Sequence, residues 1–130
     1  MIPITDLQLD ILRVLWTRAE ATVADVHGDL PERRRLAAST VATLLTRLEK
    51  RGLIAHRTVG RRHVYRATVS EQEVRTEILD TITDEVFGGD VAALVSHLID
   101  ARGVASGDLE RVRHLLDAMD ADGEEDRDDA

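Results

Sequence analysis

The hydrophobic period changes at Gly52, and that change constrains the fold more than any other feature of the chain. Upstream, Val41, Leu44, Leu45 and Leu48 recur at spacings of three and four, the stripe of an amphipathic helix over 37–51. Gly52 stands where a helix end favours a left-handed residue. Downstream, Leu53–Val59 and Arg62–Thr68 are β-compatible runs separated only by Gly60-Arg61, and a glycine opening a two-residue connection suits a type II′ hairpin turn. A lone hairpin is marginal in water, so Leu53, Ile54, Val64 and Tyr65 are expected to pack on the helices before them.

Two further helices precede this unit. Thr5 and Gln8 fit a capping box, and Leu7, Ile11, Val14 and Leu15 share a face with Trp16 beside them, giving a helix over 5–18. Thr22 opens a short second helix through Val23, Val26 and Leu30, which Pro31 stops. Helix, helix, helix and hairpin is the order of a winged helix-turn-helix.

Past residue 69 the helical period resumes. Ser70 and Glu73 fit another capping box leading into Val74, Ile78, Ile82 and Val86, and Gly88-Gly89 ends that helix. Asp90 caps Val91, Leu94, Val95 and Leu98, and a last amphipathic stretch carries Leu109, Val112, Leu115, Leu116 and Met119. Residues 120–130 hold seven acidic side chains and nothing strongly apolar, the composition of a disordered tail. The expected fold is mainly α with a small β-hairpin wing: a winged helix-turn-helix over 1–69, a helical dimerisation domain over 70–119 and an acidic tail over 120–130. Three helices of this length cannot each bury a stripe against one another and leave a large core. The stripe of Val74, Ile78, Ile82, Val86, Val91, Leu94, Val95, Leu98 and Leu115 is therefore expected to meet a second subunit. The competing expectation is that these helices fold back on the winged helix as one monomeric core.

Charge sharpens the functional reading. The 130 residues include 17 basic and 25 acidic side chains, a net −8 that taken whole argues against a nucleic-acid partner. The distribution reverses that inference, because residues 1–70 carry a net +5, residues 71–130 a net −13, and residues 28–70 alone a net +7. Projected at 100° per residue, the helix over 37–51 places Ser39, Thr43, Thr46 and Lys50 opposite its apolar stripe, flanked by Thr40, Ala42 and Arg47, with Glu49 outside the set. A face of small hydroxyls and cations without an acid can approach a polyanion and reach base edges in a major groove. An ordinary solvated face has the same composition in isolation; its place before a hairpin favours the recognition helix. Arg61 and Arg62 at the hairpin tip then face phosphate or a narrow minor groove. Arg33–Arg35 either touch phosphates or only keep the surface soluble, with Arg34 the candidate contact among them. Sixteen of the 17 basic residues are Arg and Asn is absent, a compositional bias that gives the choice of Arg over Lys little functional weight.

Other classes fall away. Without cysteine there is no disulfide framework, thiolate metal site or cysteine nucleophile. The five histidines are scattered, and although His56 and His63 can approach across the hairpin, packing or solvent-facing roles are favoured over a metal site. No Ser/His/Asp arrangement or glycine-rich phosphate loop is present, so neither catalysis nor a cofactor is expected. Apolar runs fall far short of the roughly 20 residues that span a bilayer, and the start lacks a basic-then-apolar leader, so the expectation is a cytoplasmic protein without membrane insertion.

Several stretches together resemble the BlaI/MecI family of penicillinase repressors. They are Thr5-Asp6-Leu7-Gln8-Leu9 through Val14-Leu15-Trp16, Ala21-Thr22-Val23 through Val26-His27, and Ser39-Thr40-Val41-Ala42-Thr43-Leu44-Leu45-Thr46-Arg47-Leu48-Glu49-Lys50-Arg51-Gly52-Leu53. The wing Gly60-Arg61-Arg62-His63-Val64-Tyr65-Arg66 and the segment from Phe87-Gly88-Gly89 to Leu94-Val95 extend the match to residues 4–117. The resemblance implies a winged-helix DNA-binding domain, a helical dimerisation domain and repression at palindromic double-stranded DNA operators by a homodimer. It places Ser39, Thr40, Thr43 and Arg47 at the family's recognition positions, with Ala38 where the family usually has an aromatic residue. It also implies release by cleavage in the dimerisation helix after the double glycine, with a membrane-bound sensor protease as partner. The penicillinase repressors have an Asn-Phe bond there; here the corresponding place reads Ser96-His97-Leu98, so His97 and Leu98 mark the candidate cleavage region and the same protease specificity does not carry over. The cysteine cluster of copper-responsive relatives is missing. Two rival readings are a ligand-sensing winged-helix regulator, disfavoured by a chain whose aromatics are only Trp16, Tyr65 and Phe87, and a protein–protein adaptor that never touches DNA.

Overall fold

A computed structural model describes residues 4–128 of the chain. The element order is α1 (Asp6–Arg18), α2 (Val23–Asp29), a 3₁₀ turn (Glu32–Arg34), α3 (Ala38–Lys50), β1 (Ile54–Val59), β2 (Arg62–Ala67), α4 (Glu71–Phe87), α5 (Val91–Arg102) and α6 (Ser106–Asp128). Two compact units meet along the sequence between Ile82 and Thr83.

The helix starts follow the caps expected from sequence. Thr5 and Gln8 exchange side-chain and backbone hydrogen bonds at the start of α1, and Thr22 and Asp25 do the same at α2. The Thr22 N–H bond holds the Asp25 carboxyl below the usual carboxylate range. Ser70 accepts from the Glu73 N–H at α4, and Asp90 from the Ala93 N–H at α5. Gly52 closes α3 with φ +77°, and Gly60 at the hairpin turn has φ +62°. Arg61 is not among the positive-φ residues, as a type II′ turn requires. β1 and β2 pair antiparallel from Ile54↔Ala67 to Val59↔Arg62, and Ala21 forms an isolated bridge to Tyr65 on the other side of β2.

The core of the first unit joins all its elements. Ile11, Leu12 and Leu15 of α1, Val26 of α2, Val41, Leu45 and Leu48 of α3, and Ile54 and Tyr65 of the hairpin are buried together. Each fully buried aliphatic side chain stabilises the unit by about 1.5–3 kcal/mol relative to exposure. The Trp16 Nε1–H donates to the Val69 carbonyl at 2.9 Å, tying α1 to the segment that leads into α4.

One sequence expectation changes here. Val74, expected at a dimer interface, is 2% exposed within this core, and Ile78 packs partly against it. The first turn of α4 thus adds Val74 to the core of the winged helix, and the first compact unit runs to Ile82. α6 runs on to Asp128, into the acidic end, and residues 129–130 of the expected tail lie outside the described residues.

In the second unit α4 ends at Gly88-Gly89, with φ of +60° and +83°, and the Gly89 N–H reaches back to the Thr83 carbonyl at 2.9 Å. No residue of α5 is buried. Val86, Val91, Val95, Leu98, Leu109, Leu115, Leu116 and Met119 are 45–69% exposed within one chain.

Candidate nucleic-acid interface

The packing of α3 decides which of its side chains reach solvent. Val41, Leu45 and Leu48 are buried, so the opposite side must point outward, and Ser39, Thr40, Thr43, Thr46, Arg47 and Lys50 are all exposed. No side chain caps α3 at Ala37 and its first turn holds no acid, leaving backbone N–H groups open to an anion. Within the helix, the Thr43 hydroxyl donates to the Ser39 carbonyl at 3.1 Å and the Thr46 hydroxyl to the Ala42 carbonyl at 3.0 Å. Sequence spacing gives no sign of these bonds, which change what the face offers.

The start of α3 is fixed by polar contacts from two other helices. His27 Nε2 lies 2.7 Å from the Leu36 carbonyl, a contact that requires Nε2 to carry the proton. Arg34 Nε donates to Asp10 Oδ2 at 2.9 Å, and Arg33 Nη2 reaches the same oxygen at 3.3 Å. Asp10 is the buried charged residue of this unit, and its carboxylate is satisfied by these cations. The Arg34 side chain, expected among the DNA contacts, is only 25% exposed, because the buried carboxylate on α1 holds it. Sequence could not reveal this, since Asp10 and Arg34 lie 24 residues apart.

The wing is braced in the same way. Arg57 forms a two-pronged pair with Glu20 at 3.0 and 2.8 Å, which holds the Glu20 carboxyl below its usual range. The His56 Nδ1 faces Glu49 on α3, and the rings of His56 and His63 stack 4.2 Å apart at 6°. The expected approach of these histidines is thus a stacked pair. Among the described residues no group of three or more His, Cys, Asp or Glu is placed to hold a metal.

Arg61 and Arg62 stay exposed at the wing tip. They line one groove of 460 Å³ with Thr22, Val23, Ala42 and Tyr65, so the start of α2, the outer side of α3 and the wing share one surface. Thr22 and Val23 carried no sign of that surface in the sequence beyond the N-cap at Thr22. The six expected DNA contacts on α3 and the two on the wing are on the same unit and open to solvent. The candidate cleavage residues His97 and Leu98 lie mid-α5, exposed, with Phe87 against His97 edge-on at 5.8 Å. Among the described residues no helix is long and apolar enough to cross a membrane.

The penicillinase repressor family model matches residues 4–118. The chain is 28% identical over 118 residues to an uncharacterised 16.5 kDa protein of Latilactobacillus sakei, covering 91% of this chain and 81% of that one. It is 19% identical over 115 residues to the penicillinase repressor of Staphylococcus aureus, 88% of this chain and 91% of that one. It is 20% identical over 113 residues to the methicillin resistance regulatory protein MecI of Mammaliicoccus sciuri, 87% of this chain and 92% of that one. A solved CopR repressor structure aligns over 53% of this chain and 100% of its own at 30% identity, with a TM-score of 0.45. The family match spans both units, and the chain belongs to the penicillinase repressor family of DNA-binding transcriptional repressors.

Proposed function

We propose that the chain represses transcription as a twofold homodimer on an inverted-repeat operator, with α3 in the major groove and the wing arginines on the backbone. The observation that carries the DNA-contact part is the acid-free exposed face of α3 continuing into the groove lined by Arg61 and Arg62. Ser39, Thr40, Thr43, Thr46, Arg47 and Lys50 supply base and phosphate contacts, and Arg61 and Arg62 hold the backbone. Dimerisation is supported by the apolar side chains that one chain leaves in water: Ile82, Val86, Val91, Val95, Leu98 and Leu115 are 37–69% exposed, with Leu94 half-buried. An apolar patch of this extent marks an association surface. Two copies related by a twofold axis place their recognition helices one or two turns of DNA apart, so the operator is an inverted repeat.

Release by a membrane-bound sensor protease forms the outer part of this reading, with His97 and Leu98 as the cleavage region. Both sit in regular helix, so cleavage there requires local unwinding of α5. Selecting duplexes from a random pool with the purified chain, then measuring anisotropy against salt, tests the whole. An inverted repeat bound by two chains is expected, with affinity falling steeply as salt rises. Absence of salt-dependent binding to every duplex would favour the adaptor reading instead.

A further inference from the structure

We infer that the middle of α3, around Ala42, Thr43 and Thr46, reads its operator through methyl groups, so that the centre of the half-site is specified by thymine C5-methyls, with guanine contacts by cations at the helix end that carries Arg47 and Lys50. This rests on the reading that α3 enters the major groove.

A threonine hydroxyl has one proton, and those of Thr43 and Thr46 are both donated to carbonyls of the preceding turn, Ser39 and Ala42. With Oγ1 held against its own helix, each side chain offers its methyl and the oxygen lone pairs outward. Ala42, which lines the groove one residue before Thr43 and about one turn before Thr46, offers nothing but a methyl. The Ala42, Thr43 and Thr46 side chains thus offer three methyl groups and two acceptors, without a proton to give to a base or a phosphate. Donors flank them: the exposed hydroxyls of Ser39 and Thr40 in the first turn, and Arg47 and Lys50 near the C-terminal end of α3.

Among base edges in the major groove, only thymine carries a methyl group, and apolar contact by alanine or threonine methyls is the matching readout. The acceptor lone pairs of the threonines fit the exocyclic amine of an adjacent adenine or cytosine. Guanine, with two acceptors facing the groove, is matched in two-pronged fashion by the cationic donors of Arg47 and Lys50. A positional pattern follows: thymines under the centre of α3 and guanine toward its C-terminal end.

Deoxyuridine removes the thymine methyl without altering a hydrogen bond. The full chain is used to select a duplex from a random pool, and each thymine of the selected half-site is replaced in turn by deoxyuridine. Replacement at one or two positions is expected to weaken binding about fourfold each, the loss of one buried methyl. Thr43→Ser and Thr46→Ser keep the hydroxyl and lose the methyl, so each erases the uracil penalty at its own position. Thr43→Val and Thr46→Val lose the hydroxyl and keep the methyl, so they retain it. All four changes are on the surface, and circular dichroism checks that the fold is intact. Equal affinity for thymine and uracil duplexes overturns the inference, as do selected half-sites without thymine, or Val variants that lose binding where Ser variants keep it. Failure to bind any duplex overturns both the inference and the repressor reading beneath it, and is distinguished by the absence of a selected site.

Discussion

Arg34 Nε donates to Asp10 Oδ2 at 2.9 Å, joining the turn before α3 to the middle of α1. The Asp10 side chain is only 8% exposed, so the pair is a charged hydrogen bond screened from water on the carboxylate side. Arg34→Ala is expected to lower stability by about 1–3 kcal/mol, the range for a hydrogen bond to a charged group. Asp10→Ala behaves similarly, and the double variant costs less than the two single losses together, because both remove the same contact. Urea denaturation of the four proteins measures this; strict additivity would show that the contact contributes nothing.

Val74 and Leu98 are predicted to separate folding from assembly. Val74 is 2% exposed in the core of the first unit, so Val74→Ala lowers the unfolding free energy by about 2 kcal/mol. Leu98 is 45% exposed in one chain, so Leu98→Glu leaves the first unit folded and converts the dimer to monomer. Sedimentation velocity and thermal melts of both variants distinguish the two effects. A wild-type monomer at micromolar concentration would remove the dimer from the proposed function.

Arg47 and Arg61 belong to different kinds of contact and so differ in their mutational signature. Arg47→Ala is expected to cost about 1–3 kcal/mol on the selected operator and to relax base preference at one position. Arg61→Ala weakens binding to all duplexes alike and lowers the salt slope by about one. Titrations on specific and scrambled duplexes at several salt concentrations give both quantities; negligible losses at both positions would dissociate this face from DNA.

The Tyr65 phenol is pushed above its ordinary pKa by burial, with the nearby Glu49 charge adding to the effect. The folded state therefore holds the phenolic proton more tightly than the unfolded chain does. Its contribution to stability is fully present below the unfolded value of about 10 and is lost as pH rises through the folded value. Tyr65→Phe is expected to flatten the alkaline limb of stability against pH while leaving the neutral region little changed. Chemical denaturation across that range measures it, and an identical alkaline limb in both proteins would assign the loss to other groups.

How much of this was legible beforehand depends on the range of the interaction. Thr5 and Gln8 are three residues apart and form the capping box that this spacing suggests, and Thr22, read as a helix start, caps α2 through Asp25. Gly52 and Gly60 have positive φ where a helix end and a two-residue hairpin demand it. The outward face of α3 was readable because the burial of Val41, Leu45 and Leu48 leaves its opposite side no other direction.

The sequence by itself determined the local elements, their order and the polarity of α3, since hydrophobic period, caps and turn residues act over a few positions. Only the tertiary structure decided that Val74 belongs to the core, that Arg34 pairs with Asp10, and that Arg57 braces the wing through Glu20. An apolar residue in a helical stripe reads the same whether its neighbour is its own domain or another subunit, and a cation reads the same whether or not a distant carboxylate holds it. Those identities are set by which surfaces meet when the helices close on the hairpin, a property of packing between residues tens of positions apart.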